Sequence, residues 1–309
     1  MKNKILIAGQ NGMVGSAIYD LLKRENIYKI IECPRKKLDF TNAQQVERFF
    51  KKNKPNLVIN CAGRVGGILD NSSYQDEYLY TNTMIGLNIV HMSMKYNVKK
   101  LINLGSACIY PKKTSQPIKE DFLLSSYLEE TNEGYSIAKI SVLKYCEYLK
   151  KKFNKDFISL QPANLYGKGD NFNLKSSHVI PALVKKFYIA KFKKRKKVEI
   201  WGSGKVKREF LNVDDLANAI NFCLTKKIKY SFLNVGSGEH ISIKNLALLI
   251  KKITNFKGKI HFNKKYPDGV KLRKLDNKRI VSLGWKAKIN LKNGLIKYCE
   301  HFEKNIYNY

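Results

Sequence analysis

A glycine-rich turn near the start of the chain limits the possible folds more than any other part of the sequence. Gly9, Gly12 and Gly15 follow an apolar run at 4–9 and open an amphipathic pattern at 13–25. Small residues there let the backbone approach a pyrophosphate, and the helix N-terminus adds amide donors and partial positive charge. This predicts a dinucleotide-binding turn, and a purely structural glycine turn is the alternative. Six residues are expected to contact the cofactor: Gly9, Asn11, Gly12, Met13, Val14 and Gly15.

Short apolar runs alternate with longer helical patterns along the first half of the chain. The later runs lie at 28–33, 56–63, 100–106 and 156–167, with amphipathic patterns near 42–53, 78–97 and 134–152. Apolar strands separated by helices indicate a parallel sheet covered on both faces. We therefore expect an α/β fold, a doubly wound Rossmann-type parallel sheet with a smaller C-terminal α/β substrate lobe. The Rossmann domain is expected at 1–167, with contributions from about 205–240, and the substrate lobe mainly at 168–309.

The strongly positive charge of the chain raises the question of nucleic-acid or membrane partners. Lys and Arg number 58 against 25 Asp and Glu, which gives a formal net charge of +33. The lysines are spread along the chain, and their densest run, at 191–197, falls where a surface loop is expected. No nucleic-acid-binding motif accompanies it. We expect a small anionic partner, no nucleic acid and no membrane; a basic regulator that binds RNA or DNA is the alternative from another class.

The cysteines and the apolar runs indicate the compartment. Six cysteines are scattered without C-x-x-C spacing, as is typical of free thiols in a reducing environment. The apolar run near the N-terminus is too short for a signal peptide. No run approaches the roughly 20 apolar residues of a membrane helix. We expect a cytoplasmic protein, and we expect no metal because no residues have metal-ligand spacing.

A serine, a tyrosine and a lysine form the first catalytic pattern. Tyr135 and Lys139 are four residues apart in a helical pattern, so they share one helix face. A nearby ammonium is expected to lower the phenol pKa toward working pH, so that the tyrosine exchanges a proton with a carbonyl or alkoxide. Ser106, at the end of the fourth strand, is placed to hydrogen-bond the same oxygen. Lys139 is also expected to bind the ribose of a nicotinamide cofactor. A chance Tyr-x-x-x-Lys pair is the alternative.

The end of the second strand bears on the choice of nicotinamide cofactor. An acidic residue there selects NAD, whereas an arginine accommodates the 2′-phosphate of NADP. Arg35, followed by Lys36 and Lys37, favours NADP. Glu32, and Asn11 in the glycine turn, leave NAD open.

Eight motifs in order carry a resemblance to a known family. They are GQNGMVGSAI, GRVGGI, GSACIYPK, TNEGYSIAK, NLYGKGDNF, SHVIPALVKKF, WGSGKVKREFLNVDDLA and PDGVKLRKLD, between residue 9 and residue 276. The chain resembles the extended short-chain dehydrogenase/reductase superfamily and, within it, the GDP-L-fucose synthase family. The resemblance implies an NADPH-dependent epimerase/reductase, a homodimer, that converts GDP-4-keto-6-deoxy-D-mannose to GDP-L-fucose.

The resemblance also implies roles for particular residues. Cys108 and His178 are the acid/base pair that epimerises C3 and C5, with the base and the acid left unassigned between them. NADPH then delivers hydride to C4 while Tyr135 protonates the oxygen, Lys139 tunes Tyr135, and Ser106 polarises the carbonyl. On residue type alone, a buried small hydrophobe at 108 and a helix cap or core polar group at 178 are the alternatives. A GDP-colitose synthase and a GDP-6-deoxy-heptose 4-reductase are the rival activities.

The remaining site residues are expected from the same resemblance. The substrate-binding candidates are Lys186, Trp201, Arg208 and Asp268. Asn164 is expected at the cofactor site, facing the substrate. Lysine stands at 186 where an arginine is expected, so a point charge replaces a bidentate fork. Core packing for Trp201 and a surface ion pair for Arg208 are the alternatives.

Overall fold

The computed structural model describes residues 2–33, 38–174, 176–266 and 268–305. The strands within these ranges are β1 (Lys4–Ala8), β2 (Lys29–Ile31), β3 (Leu57–Asn60), β4 (Lys100–Leu104), β5 (Asp156–Pro162), β6 (Asn164–Tyr166), β7 (Lys197–Trp201), β8 (Lys207–Arg208), β9 (Phe210–Asn212), β10 (Phe232–Val235), β11 (Ile241–Ser242), β12 (Lys259–Asn263) and β13 (Leu272–Arg273). The helices are α1 (Met13–Glu25), α2 (Ala43–Asn53), α3 (Ile68–Ser73), α4 (Gln75–Lys95), α5 (Glu133–Phe153), α6 (Val179–Phe192), α7 (Val213–Thr225), α8 (Ile243–Ile253), α9 (Lys278–Ser282) and α10 (Leu291–Lys304).

Six strands form the main sheet in the order β10-β5-β4-β3-β1-β2, and every neighbouring pair is parallel. The chain builds outward from β1 to β2 and then returns to the other side of β1 with β3. In such sheets ligands bind at the carboxyl ends of the strands where the order reverses. The topology therefore places the glycine-rich turn, which follows β1, at the switch point between β1 and β3.

Helices cover both faces of the main sheet. One buried cluster joins α1 and α7 to the sheet through side chains such as Ile18, Leu22 and Ile220. The other joins α2, α4 and α5 to the opposite face, through Phe50 and Val142 among others. Because the strands are buried on both faces, their sequences are continuously apolar. The predicted doubly wound Rossmann-type sheet is confirmed.

A third buried cluster lies in the C-terminal part of the chain. It joins α6, α8 and α10 to short strands, with Phe187, Leu246 and Phe302 fully or almost fully buried. Here β7 pairs with β12 in parallel, β6 with β9 in parallel, and β8 with β11 antiparallel and with β13 in parallel. In contrast, β10 joins the main sheet beside β5. The chain therefore crosses from the C-terminal lobe back to the main sheet.

Two global features of the described residues bear on the sequence predictions. No helix among them is both long and apolar enough to cross a membrane. All six cysteines are free thiols.

Candidate active site

The glycine turn is shaped by the close approach of the backbone. Gly9 has a positive φ of 81°, and a Cβ there would lie 2.8 Å from the backbone nitrogen of Ala62, just after β3. A Cβ on Gly15 would clash with the carbonyl of Gly9. Gly12, in contrast, is exposed, and a Cβ there would meet nothing nearer than 3.4 Å. Two glycines thus close the turn, and the third leaves open space before α1.

The beginning of α1 is suited to bind a pyrophosphate. No side chain caps the helix, and its first turn holds no acidic residue. The amides of this turn and their partial positive charge therefore face no competing protein acceptor from a cap. Met13 and Val14 lie in this first turn, and Asn11 is exposed beside it. The residues present fit a dinucleotide cofactor.

Ser106, Tyr135 and Lys139 meet at the end of β4. The Lys139 Nζ donates to the carbonyl of Leu104 at 3.0 Å and lies 5.6 Å from the centre of the Tyr135 ring. The Ser106 hydroxyl hydrogen-bonds Tyr135. The backbone amide of Ser106 donates to Oε1 of Gln161, a fully buried side chain of β5, at 2.8 Å. The predicted triad is thus one cluster, and Gln161 fixes the serine end of it.

Burial controls the protonation of the triad. It lowers the pKa of Lys139 to about 8, against the opposing effects of Cys61 and Cys108. It raises the pKa of Tyr135, with Cys108 adding to the rise and the hydrogen bond from Ser106 opposing it. The expected lowering of the phenol pKa is therefore wrong for this arrangement, because desolvation outweighs the favourable contacts. Tyr135 is a protonated acid at neutral pH.

Cys108 belongs to the same cluster. It lies on a single 3₁₀ turn, Ala107–Ile109, directly after Ser106, and its side chain is half-buried. The Cys108 amide donates to the Ser106 hydroxyl at 3.2 Å, and its carbonyl accepts from the Ser136 hydroxyl at 3.1 Å. Its electrostatic influence on both Tyr135 and Lys139 places the thiol beside the triad. Cys108 is thus not a buried filler of the core.

His178 belongs to the segment between β6 and α6. It is the residue before α6, but its side chain does not cap that helix. The residue is partly accessible to solvent, and desolvation by the surrounding protein lowers the pKa of its imidazole. The two residues before His178, Ser176 and Ser177, pack on the loop before α3, where the Gly67 amide donates to the Ser176 carbonyl at 2.8 Å. The imidazole is therefore neutral at pH 7 and available as a base.

The same loop connects the His178 segment with the triad. A Cβ on Gly66 would clash with the hydroxyl of Tyr78. The fully buried Tyr78 ring meets the Tyr135 ring edge to face, with 6.1 Å between the ring centres. One continuous set of contacts therefore runs from Tyr135 through the loop to the residues just before His178.

The four substrate-binding candidates lie together on the C-terminal lobe. The Lys186 ammonium is 5.2 Å from the centre of the Trp201 ring and also donates to the Glu199 carbonyl at 3.1 Å. Tyr266 stacks on Trp201 with 4.3 Å between ring centres. The side chains of Trp201 and Tyr266 are 44% and 41% exposed, so this aromatic pair does not belong to the core. Asp268 accepts from the amide and the hydroxyl of Ser203, two residues after Trp201.

A pair of arginines completes this region. Arg208 donates to the Val270 carbonyl at 2.6 Å, and the register of β8 with β13 sets Arg273 directly beside it. Burial lowers the pKa of Arg208, the neighbouring guanidinium of Arg273 lowers it further, and Glu129 and Asp268 oppose the shift. Two adjacent cations of this kind are stabilised by an anion between or upon them. Arg208 is therefore not a simple surface ion pair.

Some predicted residues lack such support, and others were missed. Asn164 lies on β6 and donates to the Glu209 carbonyl at 2.9 Å, which does not test its predicted contact with a cofactor. Arg35 falls outside the described residues. Sequence reasoning missed Gln161, Tyr266 and Arg273, although the last two lie in or beside the quoted PDGVKLRKLD motif. No cluster of metal-ligating side chains occurs in the part of the chain that the structure describes.

The chain is similar to known proteins over most of its length. The model of the NAD dependent epimerase/dehydratase family matches residues 5–236. A protein named GDP-L-fucose synthase from Sinorhizobium fredii is 44% identical over 98% of this chain and 96% of its own length. A protein named GDP-L-colitose synthase from Yersinia pseudotuberculosis is 38% identical over 98% of this chain and 99% of its own. A GDP-mannoheptose C4 reductase from Campylobacter jejuni, solved with NADP bound, is 34% identical, with a TM-score of 0.89 over 98% of both chains.

A Rossmann-type sheet with a glycine turn and a Ser-Tyr-Lys cluster defines a nicotinamide-dependent oxidoreductase of the short-chain type. The chain belongs to the NAD dependent epimerase/dehydratase family. Its likeness to proteins named GDP-L-fucose synthase extends over nearly the whole chain, which confirms the resemblance drawn from the motifs.

Proposed function

We propose that this protein is an NADPH-dependent enzyme that epimerises GDP-4-keto-6-deoxy-D-mannose at C3 and C5 and then reduces C4 to give GDP-L-fucose. The observation that carries the proposal is the position of Cys108, whose amide donates to the Ser106 hydroxyl at 3.2 Å, beside the cluster of Ser106, Tyr135 and Lys139. A reductase of this type needs the three triad residues but no thiol. The thiol and the nearby His178 segment supply the second acid/base pair that epimerisation requires.

The epimerisation follows from these groups. A ketone at C4 acidifies the C–H bonds at C3 and C5, and removal of a proton gives an enolate. The neutral His178 imidazole and the Cys108 thiol are assigned to opposite faces of the sugar, so that one removes a proton and the other returns it from the other face. The hydroxyls of Ser106 and Tyr135 donate to the developing oxyanion. The same two donors therefore serve the epimerase and the reductase steps.

The reduction uses the same oxygen. Bound NADPH supplies the hydride to C4. Tyr135 is protonated at neutral pH and donates its proton to the oxygen as the negative charge develops. Lys139, fixed by the Leu104 carbonyl, stabilises the resulting phenolate and binds the ribose hydroxyls. The NADP-bound relative supports NADP over NAD as the cofactor. Substitution of Arg35, the candidate ligand of the 2′-phosphate, tests this preference for NADP.

The GDP moiety is assigned to the C-terminal lobe, and the Rossmann unit is assigned to the cofactor. Arg208 and Lys186 provide positive charge for the diphosphate, and the exposed Trp201 ring provides an aromatic surface beside it. Neither lobe alone holds all the acid/base groups, because Cys108 follows β4 and His178 precedes α6. Substrate bound between the lobes thus reaches both groups.

A second copy of the chain is proposed to pack on α4 and α5. These helices pack on each other, and they expose Tyr80, Ile137 and Tyr148 by 65%, 41% and 56%. The eleven-residue spacing of Ile137 and Tyr148 puts both on one face of α5. Burial of this apolar face in a two-fold dimer explains why it is not polar.

The free cysteines support a reducing, cytoplasmic compartment.

The two related activities remain as second candidates because relatives carry their names. A GDP-colitose synthase acts on a 3-deoxy sugar, whereas a heptose 4-reductase acts on a longer one. The test is incubation of the protein with NADPH and each 4-keto sugar nucleotide, with the product identified by NMR. GDP-L-fucose as the product formed with the highest kcat/KM supports the proposal. A higher kcat/KM for the 3-deoxy or the heptose substrate overturns it in favour of that activity.

A further inference from the structure

Arg273 holds the turn that carries Cys108. One terminal nitrogen of its guanidinium donates to the Ala107 carbonyl at 3.0 Å. The other donates to the carbonyls of Tyr110 and Pro111 at 3.2 and 3.3 Å. The three acceptors flank Cys108 on both sides, so the planar guanidinium spans the whole turn. A lysine ammonium has no such fork and cannot reach all three acceptors in one geometry.

The turn has little other support from regular structure. It is a single 3₁₀ turn of three residues, and such turns have poor internal hydrogen-bond geometry. Beyond its own backbone bonds, Cys108 is held by the hydroxyls of Ser106 and Ser136. The position of the thiol therefore depends on the buried side chains of Ile109 and Tyr110 and on side chains outside the turn. Among the latter, Arg273 makes three hydrogen bonds to the segment.

The reductase groups have separate anchors. Ser106 is fixed by Gln161 on β5, and Lys139 is fixed by the Leu104 carbonyl at the end of β4. Tyr135 lies on α5 and is backed by the Tyr78 ring. None of these contacts involves Arg273. A change at Arg273 should thus move the thiol while leaving the hydride-transfer groups in place.

Arg273 also links this turn to the lobe assigned to the nucleotide. It stands opposite Arg208 in the parallel pairing of β13 with β8. The proximity of the two guanidiniums is seen in the lowered pKa of Arg208. The strand pair therefore connects the region proposed for the diphosphate with the residue proposed to move protons on the sugar.

We propose that Arg273 is a positioning residue for the epimerase half of the reaction: its guanidinium holds the Ala107–Pro111 segment so that Cys108 faces the sugar. The inference rests on the proposed function, because it assigns Arg273 to one of the two chemistries proposed for this site. It predicts that epimerisation and hydride transfer separate when the guanidinium is changed.

The test compares two half-reactions in Arg273→Lys. Epimerisation is followed as deuterium uptake at C3 and C5 of the 4-keto sugar in D2O without reductant. Hydride transfer is followed as the first burst of NADPH from GDP-L-fucose and NADP⁺, which precedes any epimerisation. The proposal predicts that, with substrate saturating in both assays, Arg273→Lys loses at least about tenfold in deuterium uptake while the burst changes by less than about threefold. Arg273→Ala should lose more, and millimolar guanidinium should restore part of its deuterium uptake.

The matched control is Lys271→Ala, which removes an exposed cation two residues away and should behave as the unmodified protein. Equal losses in the two half-reactions, no loss in either, or a rise in KM with unchanged deuterium uptake at saturation would each overturn the role of Arg273. If Arg273→Ala does not fold, the Arg273→Lys comparison alone decides. Absence of both half-reactions in the unmodified protein would instead refute the proposed function.

Discussion

Single residues show where the sequence is informative and where it is not. The meeting of Ser106, Tyr135 and Lys139 could be predicted, because a strand end and a four-residue helical spacing fix their geometry. The direction of the Tyr135 pKa could not, since it depends on how many tertiary contacts exclude water. Arg273 was missed for a similar reason: its partners lie more than 160 residues away along the chain. Local spacing holds no information on such contacts.

The lowered pKa of Lys139 leads to a prediction of pH dependence. Lys139 is charged below its pKa of about 8 and neutral above it. Because the ammonium stabilises the phenolate of Tyr135, kcat/KM for NADPH, which reports on the free enzyme, should fall as the pH rises through about 8. Lys139→Arg should remove this fall, at reduced activity, because a guanidinium stays charged. A profile of the unmodified protein that stays flat to about pH 10 would contradict this role of Lys139.

At the scale of elements, the segment from β6 to α6 determines where His178 lies. The described residues of that segment contain no strand or helix. Its contacts could not be predicted. Gly169, with a positive φ of 85°, packs against Met13 at the start of α1, and the buried Asp170 accepts from the Tyr298 hydroxyl of α10 at 3.1 Å. The loop is thus held between the cofactor helix and the last helix.

Asp170 provides a stability prediction. Burial raises its pKa to about 7, so the folded state holds the proton more tightly than the unfolded chain. Stability from this group is therefore full below the unfolded pKa of about 4 and is lost as the pH rises toward about 7. Asp170→Asn, which retains an acceptor for the Asn171 amide, should gain stability relative to the unmodified protein as the pH rises from about 5 to 8. The expected gain is roughly 1–3 kcal/mol.

Urea unfolding of both proteins at the two pH values measures this difference. Asp20→Asn is the matched control, since the Asp20 carboxylate is exposed, unlike that of Asp170. Its partner is the exposed Lys168 ammonium, 3.9 Å away. Asp20→Asn should show no comparable gain. A constant difference between Asp170→Asn and the unmodified protein across this pH range would show that the carboxyl is ionised in the fold.

At the scale of the whole molecule, the main sheet was predictable and the C-terminal lobe was predictable only in part. Short apolar runs between amphipathic helices determine a parallel sheet almost without tertiary information. The pairing of β8 with both β11 and β13 involves strands of two residues, which carry no periodic pattern. The predicted division near residue 167 therefore stays a proposal, while the sheet itself is confirmed.

The proposed dimer is tested at this scale as well. Tyr80→Lys combined with Tyr148→Lys places two charges in the face of α4 and α5 and should convert a dimer to a monomer, because buried unpaired charges are costly. Light scattering after size exclusion gives the mass. Leu248→Lys, at a similarly exposed position on α8, should leave the dimer unchanged. A monomeric unmodified protein at micromolar concentration would refute the dimer without affecting the proposed chemistry.

The central claim is that one site performs proton exchange and hydride transfer with different residues. The most direct measurement is the reaction of GDP-4-keto-6-deoxy-D-mannose with NADPH in D2O, for the unmodified protein and for Cys108→Ser, with deuterium read by NMR. We expect deuterium at C3 and C5 and a reduced C4 for the unmodified protein. For Cys108→Ser we expect deuterium uptake to fall by roughly 10²-fold or more, with NADP binding retained. Undiminished uptake at both carbons in Cys108→Ser would contradict the account.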